Sequence, residues 1–440
     1  MDGMQAIIGF LGLQDVEVTD VELWSKVGRA EIELRFRPEN CRCPDCGWRF
    51  TRIHDWQKCE MQGPPLGIYV RVVLRVYFPR AYCPKCRRNR SPEIPFRHSL
   101  CRSMSCGFAE VAGRMMEETT CEAAARLLRA NSRSLWELDQ FRMELMLERM
   151  RLPNNLDLSY LSADEVHFKT IWLGGKLGPF AKRWQAQFVT NLVSYHERKV
   201  LSNASGRDSE ALQAALSILS PQQKLQVQRF GLDMHEPFIS VVKKQCPKAE
   251  ICIDRFHLIQ LLNKSFDEVR REEFKKARDK KHLFAEGMLS PSRRFILVER
   301  NRQRSKAEIK MLTRLRQLND NIHLAMLLVE SLHAALEKLE ILTFRKALTD
   351  WYSLVRESRL KPFRKLAATI ARYRHYIESY ITSRLTTAVS EGINNKIKTL
   401  KRMAYGYTNP KSFRNKILQR CGYLNHYHIN TNDLFLTCPR

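Results

Sequence analysis

The sequence predicts a multidomain α/β protein, and three observations carry that expectation. Two Cys-x-x-Cys pairs flank a stretch that alternates apolar with basic residues. Two capped helical segments follow. From residue 156 the pattern runs strand, strand, strand, helix, strand, helix, strand, helix, and then some 120 residues show almost no strand signal. At 440 residues the chain exceeds the roughly 250–300 that one core can serve. The expected divisions are 1–100, 101–152, 153–257, 258–380 and 381–440.

Composition narrows the partners. The 74 Lys and Arg against 47 Asp and Glu give a net charge of +27, a surface that attracts polyanions, so nucleic acid leads. Basic side chains outnumber acidic ones by 20 to 12 in residues 41–151, 15 to 8 in 258–310 and 8 to 1 in 391–420, whereas residues 1–40 carry 4 and 8. Polyanion contacts are therefore expected over at least three regions. Apolar runs such as LAMLLV at 324–329 fall far below the ~20 residues that span a bilayer, and the N-terminus lacks a basic-then-apolar export signal. A cytoplasmic, nucleoid-associated protein is expected. Most of the 13 cysteines are scattered singly, which fits a reducing compartment with one metal site better than a disulfide framework.

CRCPDCGWRF supplies Cys43 and Cys46, and AYCPKCRRNR supplies Cys83 and Cys86. Two such knuckles offer four thiolates to one tetrahedral Zn²⁺, and GIYVRVVLRVYFPRAYC between them reads as a half-buried strand. This is a zinc-ribbon pattern, although the 36-residue gap between pairs is longer than in the tightest zinc templates. Cys41 is a possible substitute ligand, with His54 and Cys59 weaker spares.

The next segment, TTCEAAARLLRANSRSLWELDQFRMELMLERM, shows capping boxes at Thr119 to Glu122 and Ser134 to Glu137, an apolar stripe through Ala124, Leu127 and Leu128, and a turn at Asn131–Ser132. Two helices joined by a short turn have the grammar of a helix-turn-helix. Ser132, Arg133 and Ser134 would then start the second helix and reach base edges, with Arg129 and Arg142 on phosphates. The bland alternative is a connecting helical hairpin. Trp136, Trp172, Trp184 and Trp351 read as packing residues.

The later strand and helix order is that of an RNase H-like mixed sheet, interrupted by an all-helical insertion at 258–380. LSYLSADEVHFK ends its apolar run at Asp164, KLQVQRFGLDMHEPF delivers Asp233, and AEICIDRFH delivers Asp254. Asp164 and Asp233 would be neighbours on central adjacent strands. Carboxylates so placed hold Mg²⁺, a hard ion that prefers oxygen ligands, and two such ions serve phosphoryl transfer. Asp254 rivals Asp233 as the second ligand, since both end strands. A third carboxylate is Glu391, followed by the basic cluster Lys396, Lys398, Lys401 and Arg402. LGGKLGPF at 173–180 lacks a GK[ST] sequence and reads as a turn, so no nucleotide cofactor is expected.

The two cysteine pairs, the helix-turn-helix, ADE at 163–165, GLDMHEPF, DRFH and EGINNKIKTLKRMAYGY occur in the order found in bacterial insertion-sequence transposases of the ISL-three family, which the sequence resembles along nearly its whole length. The resemblance implies a DDE triad of Asp164, Asp233 and Glu391 binding Mg²⁺ or Mn²⁺. It places Asp254 and His257 beside the active site rather than in the triad. It implies an enzyme that binds terminal inverted repeats on double-stranded DNA, cleaves the ends and joins the 3′-OH to target DNA, as a homodimer or larger assembly. A transposase-derived regulator without catalysis, or a nuclease that cuts without joining, are the rivals.

Overall fold

The computed structural model of the chain describes residues 7–9, 11, 13, 15–172, 184–253, 255–290, 305–383, 388–404 and 407–426. It divides into two compact units, one of residues 1–152 with 399–440, the other of residues 153–398. LGGKLGPF, Asp254 and the side chains of Trp172 and Trp184 lie outside the described residues.

The first unit holds a mixed sheet of β1 (Val16–Trp24), β2 (Arg29–Phe36), β3 (Ile53–Gly63), β4 (Arg71–Cys83) and the short β5 (Arg88–Arg90), in the order β1-β2-β4-β3 with β5 on β4. The strand expected between the knuckles is β4, and its alternation buries Val72, Leu74 and Val76 completely.

Three helices follow: Cys106–Glu118, Cys121–Leu128 and Ser132–Arg149. Their caps differ from those expected. Thr120 rather than Thr119 accepts the Ala123 amide, and Asn131 rather than Ser134 accepts the amides of Arg133 and Ser134. Thr119 closes the preceding helix, its hydroxyl donating to the Met115 carbonyl, and Ser134 lies inside the long helix. Leu127 is exposed, so the buried stripe is Ala124, Ala125 and Leu128.

Arg142 also departs from expectation. Only 2% exposed, it donates to Glu110 at 2.7 Å and to Glu117 at 3.1 Å, pinning the Ser132–Arg149 helix to Cys106–Glu118. A guanidinium enclosed and paired in this way does not reach a phosphate. A Cβ at Gly113 would overlap that guanidinium, which its two carboxylates hold in place. Gly113→Ala should therefore destabilise this unit by about 1–3 kcal/mol through overpacking, although alanine is the better helix former by about 1 kcal/mol. Urea unfolding of Gly113→Ala beside an exposed-site control checks this.

The C-terminal helix Pro410–Cys421 belongs to the same unit. Its buried Lys416 donates to Asp139 at 2.9 Å and to the Met116 carbonyl at 2.8 Å. The span expected as one catalytic segment, 381–440, is thus divided at residue 398.

The second unit is built on β6 (Tyr160–Trp172), β7 (Trp184–Ser194), β8 (Lys199–Ser205), β9 (Arg229–Leu232) and β10 (Glu250–Ile253), in the order β10-β9-β6-β7-β8. β6, β7 and β8 are antiparallel neighbours, while β6, β9 and β10 run parallel. Parallel strands need a crossover, and the helices Ser209–Leu216, Pro221–Gln226 and Glu236–Gln245 supply it. Asp208 caps the first of these by accepting the Ala211 amide.

Between 255 and 383 the described residues are helical, in Arg255–Asp279, Leu283–Leu289, Lys306–Leu318, Asp320–Leu336, Ile341–Ser358 and Lys361–Ser383. Trp351 is buried here and donates its indole N–H to the Leu328 carbonyl at 2.9 Å, as a packing tryptophan should. Trp136, in the first unit, is instead 47% exposed and lines a cavity of about 240 Å³ with Asp139, Tyr407 and Lys416. Among the described residues no helix is long and apolar enough to cross a membrane.

Candidate active site and metal centre

The two knuckles bring four sulfurs together. Gly47 takes a left-handed φ of 70°, which lets its amide return to the Cys43 carbonyl at 2.9 Å. Asp45 of the first knuckle accepts Arg88 at 2.9 Å and Arg90 at 2.6 Å, both on β5. Cys43, Cys46, Cys83 and Cys86 have ligand atoms all within 4.8 Å of one another, and the Cys43–Cys86 and Cys46–Cys83 sulfurs lie 3.8 and 3.4 Å apart. A tetrahedral zinc with Zn–S of about 2.3 Å needs sulfur separations of about 3.8 Å. The donor set and its spacing are compatible with a structural zinc. Cys41 stands outside the set. It is buried, its thiol donates to the Arg37 carbonyl at 3.4 Å, and burial pushes that thiol up to about 11. His54 and Cys59 do not join either.

At the second unit's sheet, β6 and β9 pair in parallel with Ser162 opposite Gly231, so the register sets Asp164, inside β6, level with Asp233, just past the end of β9. Asp233 is the first residue after β9. The Asp164 Oδ1 accepts the Glu165 amide at 2.7 Å, and its Oδ2 accepts the Asn394 carboxamide at 2.5 Å. Burial raises the Asp164 carboxyl above the ordinary range and the Asp233 charge adds to the rise, while His257, the Glu165 amide and Asn394 oppose it. His257, half-buried in the Arg255–Asp279 helix, thus acts electrostatically on Asp164.

Asn394 comes from the helix Ala388–Met403, whose buried residues Ser390, Ile393, Asn394 and Ile397 form one stripe. Ser390 meets Ser162 with hydroxyl oxygens 2.5 Å apart. Glu391, next to Ser390, is exposed on this helix, as are Lys396, Lys398 and Arg402, while Lys401 is half-buried. The fold brings Asp164, Asp233 and His257 together and lays the Glu391 helix over β6. The three carboxylates do not form a set with all ligand atoms within 4.8 Å; among the described residues only the four cysteines do.

Sequence reasoning missed Glu165. Alternation along β6 turns it to the face opposite Asp164, across from Thr190. Burial pushes its carboxyl up to about 7, with Asp233 and Asp164 adding and Arg207 opposing, and its Oε2 is buried without a hydrogen-bond partner among the described residues. The signal available was the second acid of ADE. A carboxyl raised from 4.5 to about 7 binds its proton more tightly when folded. The stability it contributes is full below pH 4.5 and lost as pH rises through 7. Glu165→Gln should therefore melt higher than wild type above pH 7, by about 2–4 °C per kcal/mol recovered, and no higher below pH 4.5. Thermal melts in chelator across that range test it.

In the first unit, Ser132 and Arg133 are exposed in the first turn of their helix and Ser134 is half-buried. Arg133 reaches Glu137 at 3.3 Å. Arg129 sits at a left-handed φ of 49° and donates to the Val27 carbonyl while remaining exposed.

The second unit therefore sets two acidic residues level on adjacent parallel strands of a five-stranded mixed sheet, in a chain of net charge +27. A family model described as Transposase, that of the ISL3 group of DDE transposases, matches residues 180–417, and the chain belongs to that family. Asp233 and Glu391 fall within the match and Asp164 precedes it. The chain is 26% identical over 414 residues to the transposase for insertion sequence element IS1001 of Bordetella parapertussis, covering 92% of this chain and 95% of that one. It is 25% identical over 415 residues to the transposase for insertion sequence element IS1557 of Mycobacterium tuberculosis, covering 87% of each.

Proposed function

We propose that this transposase binds the terminal inverted repeats of its insertion sequence, cleaves DNA at the ends and joins the freed 3′-OH to target DNA, with Asp164, Asp233 and Glu391 as its catalytic carboxylates on an RNase H-like sheet. The observation that carries the reading is the placement of Asp164 and Asp233 level with each other on adjacent parallel strands, with the helix that bears Glu391 bonded to Asp164 through Asn394. Asp164 and Asp233 are oxygen donors close enough for the Asp233 charge to act on Asp164, a chemistry that suits Mg²⁺ or Mn²⁺, and Glu391, not gathered with them within 4.8 Å, would join them on binding. When bound, such ions activate an attacking oxygen and stabilise a leaving one.

The chain's own groups then divide the work. Asp164 and Asp233 are held by the sheet, so their separation is set before DNA arrives. His257 stands close enough to Asp164 to act on it electrostatically, and Asp254, three residues earlier in the chain, would act beside the same site. Lys396, Lys398, Lys401 and Arg402 follow Glu391 on one helix and meet the phosphates flanking the cut. The zinc ribbon and a helix-turn-helix formed by Cys121–Leu128 and Ser132–Arg149 read the ends, with Ser132, Arg133 and Ser134 toward bases and Arg129 toward phosphate. Two ends must be paired, so the working form on DNA is a homodimer or larger.

The test is an assay on labelled DNA carrying the element's own terminal repeats, in Mg²⁺ or Mn²⁺, scored for cleaved and for joined products. Both products are expected. End binding without any cut would favour a regulator, and cutting without joining a nuclease.

A further inference from the structure

The residue opposite Asp164 on β7 is Asn191. Directly opposed residues of an antiparallel pair share a face, with Cβ atoms about 4.5–5.5 Å apart, so Asn191 and Asp164 stand on the same side of the sheet. Asn191 is 0% exposed, and neither Oδ1 nor Nδ2 has a hydrogen-bond partner among the described residues. A buried carboxamide in this condition costs stability that a leucine of the same shape would not. From above, Asn394 donates to the Asp164 Oδ2 at 2.5 Å, and Ser390 on the same helix meets Ser162 on β6. The polar face of the sheet at this level is therefore bracketed by two carboxamides, one from the neighbouring strand and one from the helix that carries Glu391.

We propose that Asn394 and Asn191 are positioning residues for Asp164: Asn394 holds its carboxylate in the orientation that binds a divalent cation, and Asn191, beside it on the same face, keeps hydrogen-bonding capacity for the metal-loaded site. The inference rests on the reading of Asp164 as a metal ligand. Asn394 has a second consequence. Because it and Glu391 are one turn apart on one helix, its bond to Asp164 sets the height at which Glu391 is presented to the sheet. Asn191 supplies the hydrogen-bonding capacity on the opposite flank, and its unpaired amide is a stability cost retained beside a carboxylate.

The experiment uses the full chain with its zinc in place and measures Mn²⁺ affinity by titration against the free-ion paramagnetic resonance signal, together with melting temperature and end binding. The variants are Asn191→Leu, Asn394→Leu, Asn394→Gln and Asp164→Ala. The expected result is a 10-fold to 100-fold weaker Mn²⁺ affinity in both leucine variants, the range in which outer partners of metal ligands act. Asn191→Leu should melt at the same temperature as wild type or higher, a combination that a merely structural asparagine would not produce. Asn394→Gln, which keeps the carboxamide, should recover part of the affinity. Affinity lost in Asp164→Ala but unchanged in both leucine variants would overturn the positioning role alone. Affinity that survives Asp164→Ala would overturn the carboxylate reading, and the positioning role with it.

Discussion

Replacing Asp164 by alanine is expected to lower single-turnover cleavage at the transposon ends by at least about 10³-fold, equivalent to about 4 kcal/mol of lost transition-state stabilisation. Asp164 faces Asp233 and His257, and it receives the helix that carries Glu391. Its removal takes away the proposed metal ligand and the anchor of that helix together. End binding should change by less than about twofold, because affinity for DNA comes chiefly from cations on phosphates and this substitution removes none. Gel-shift and cleavage assays on the same DNA separate the two effects. A variant that lost both in proportion would place Asp164 in folding rather than in chemistry.

Cys83→Ser should have the second largest effect. Cys83 is the last residue of β4, fully buried, and its sulfur lies 3.4 Å from that of Cys46. A structural zinc in zinc-finger peptides binds with an apparent free energy of about 10–16 kcal/mol, and that binding energy is folding energy. The variant should carry less than one zinc per chain, lose the closure of both knuckles on β5, and bind transposon ends at least about tenfold more weakly. Cys41→Ser is the matched control. Cys41 is two residues from the cluster and buried, yet its thiol serves the Arg37 carbonyl, so zinc content and end binding should stay at the wild-type level. Metal analysis of the two purified variants decides between them.

How far the residues announce this arrangement depends on the range of the interaction. The cysteine knuckles are legible because each is a four-residue device with its own turn, and the β4 alternation between them needs only a period of two. Asp164 and Asp233 are legible because each closes an apolar run, even though they lie 69 positions apart. Arg142 is not. Its partners Glu110 and Glu117 lie 32 and 25 residues earlier, and nothing in the local pattern distinguishes an arginine that will be enclosed from one that faces DNA. Lys416 is a stronger case, since Asp139, which makes its burial tolerable, is 277 positions away. The caps shifted because neighbouring hydroxyl and amide residues compete for the same amides: Thr119 and Thr120 are both competent, and backbone geometry chose Thr120. Asn191, Asn394 and Glu165 escaped notice for a different reason. Their significance comes from register across β6, β7 and an overlying helix, which no single segment encodes.

Asp164, Asp233 and Glu391 are proposed to surround one divalent-metal site. That arrangement is tested most directly by loading the full chain with Fe²⁺ in place of Mg²⁺, generating hydroxyl radicals at the bound iron and mapping where the polypeptide is cut. Cuts are expected to cluster near residues 164, 233 and 391, to be suppressed by excess Mg²⁺ and to be absent from Asp164→Ala. Cuts clustered near residue 254 but missing near 233, or a pattern unchanged in Asp164→Ala, would contradict that arrangement.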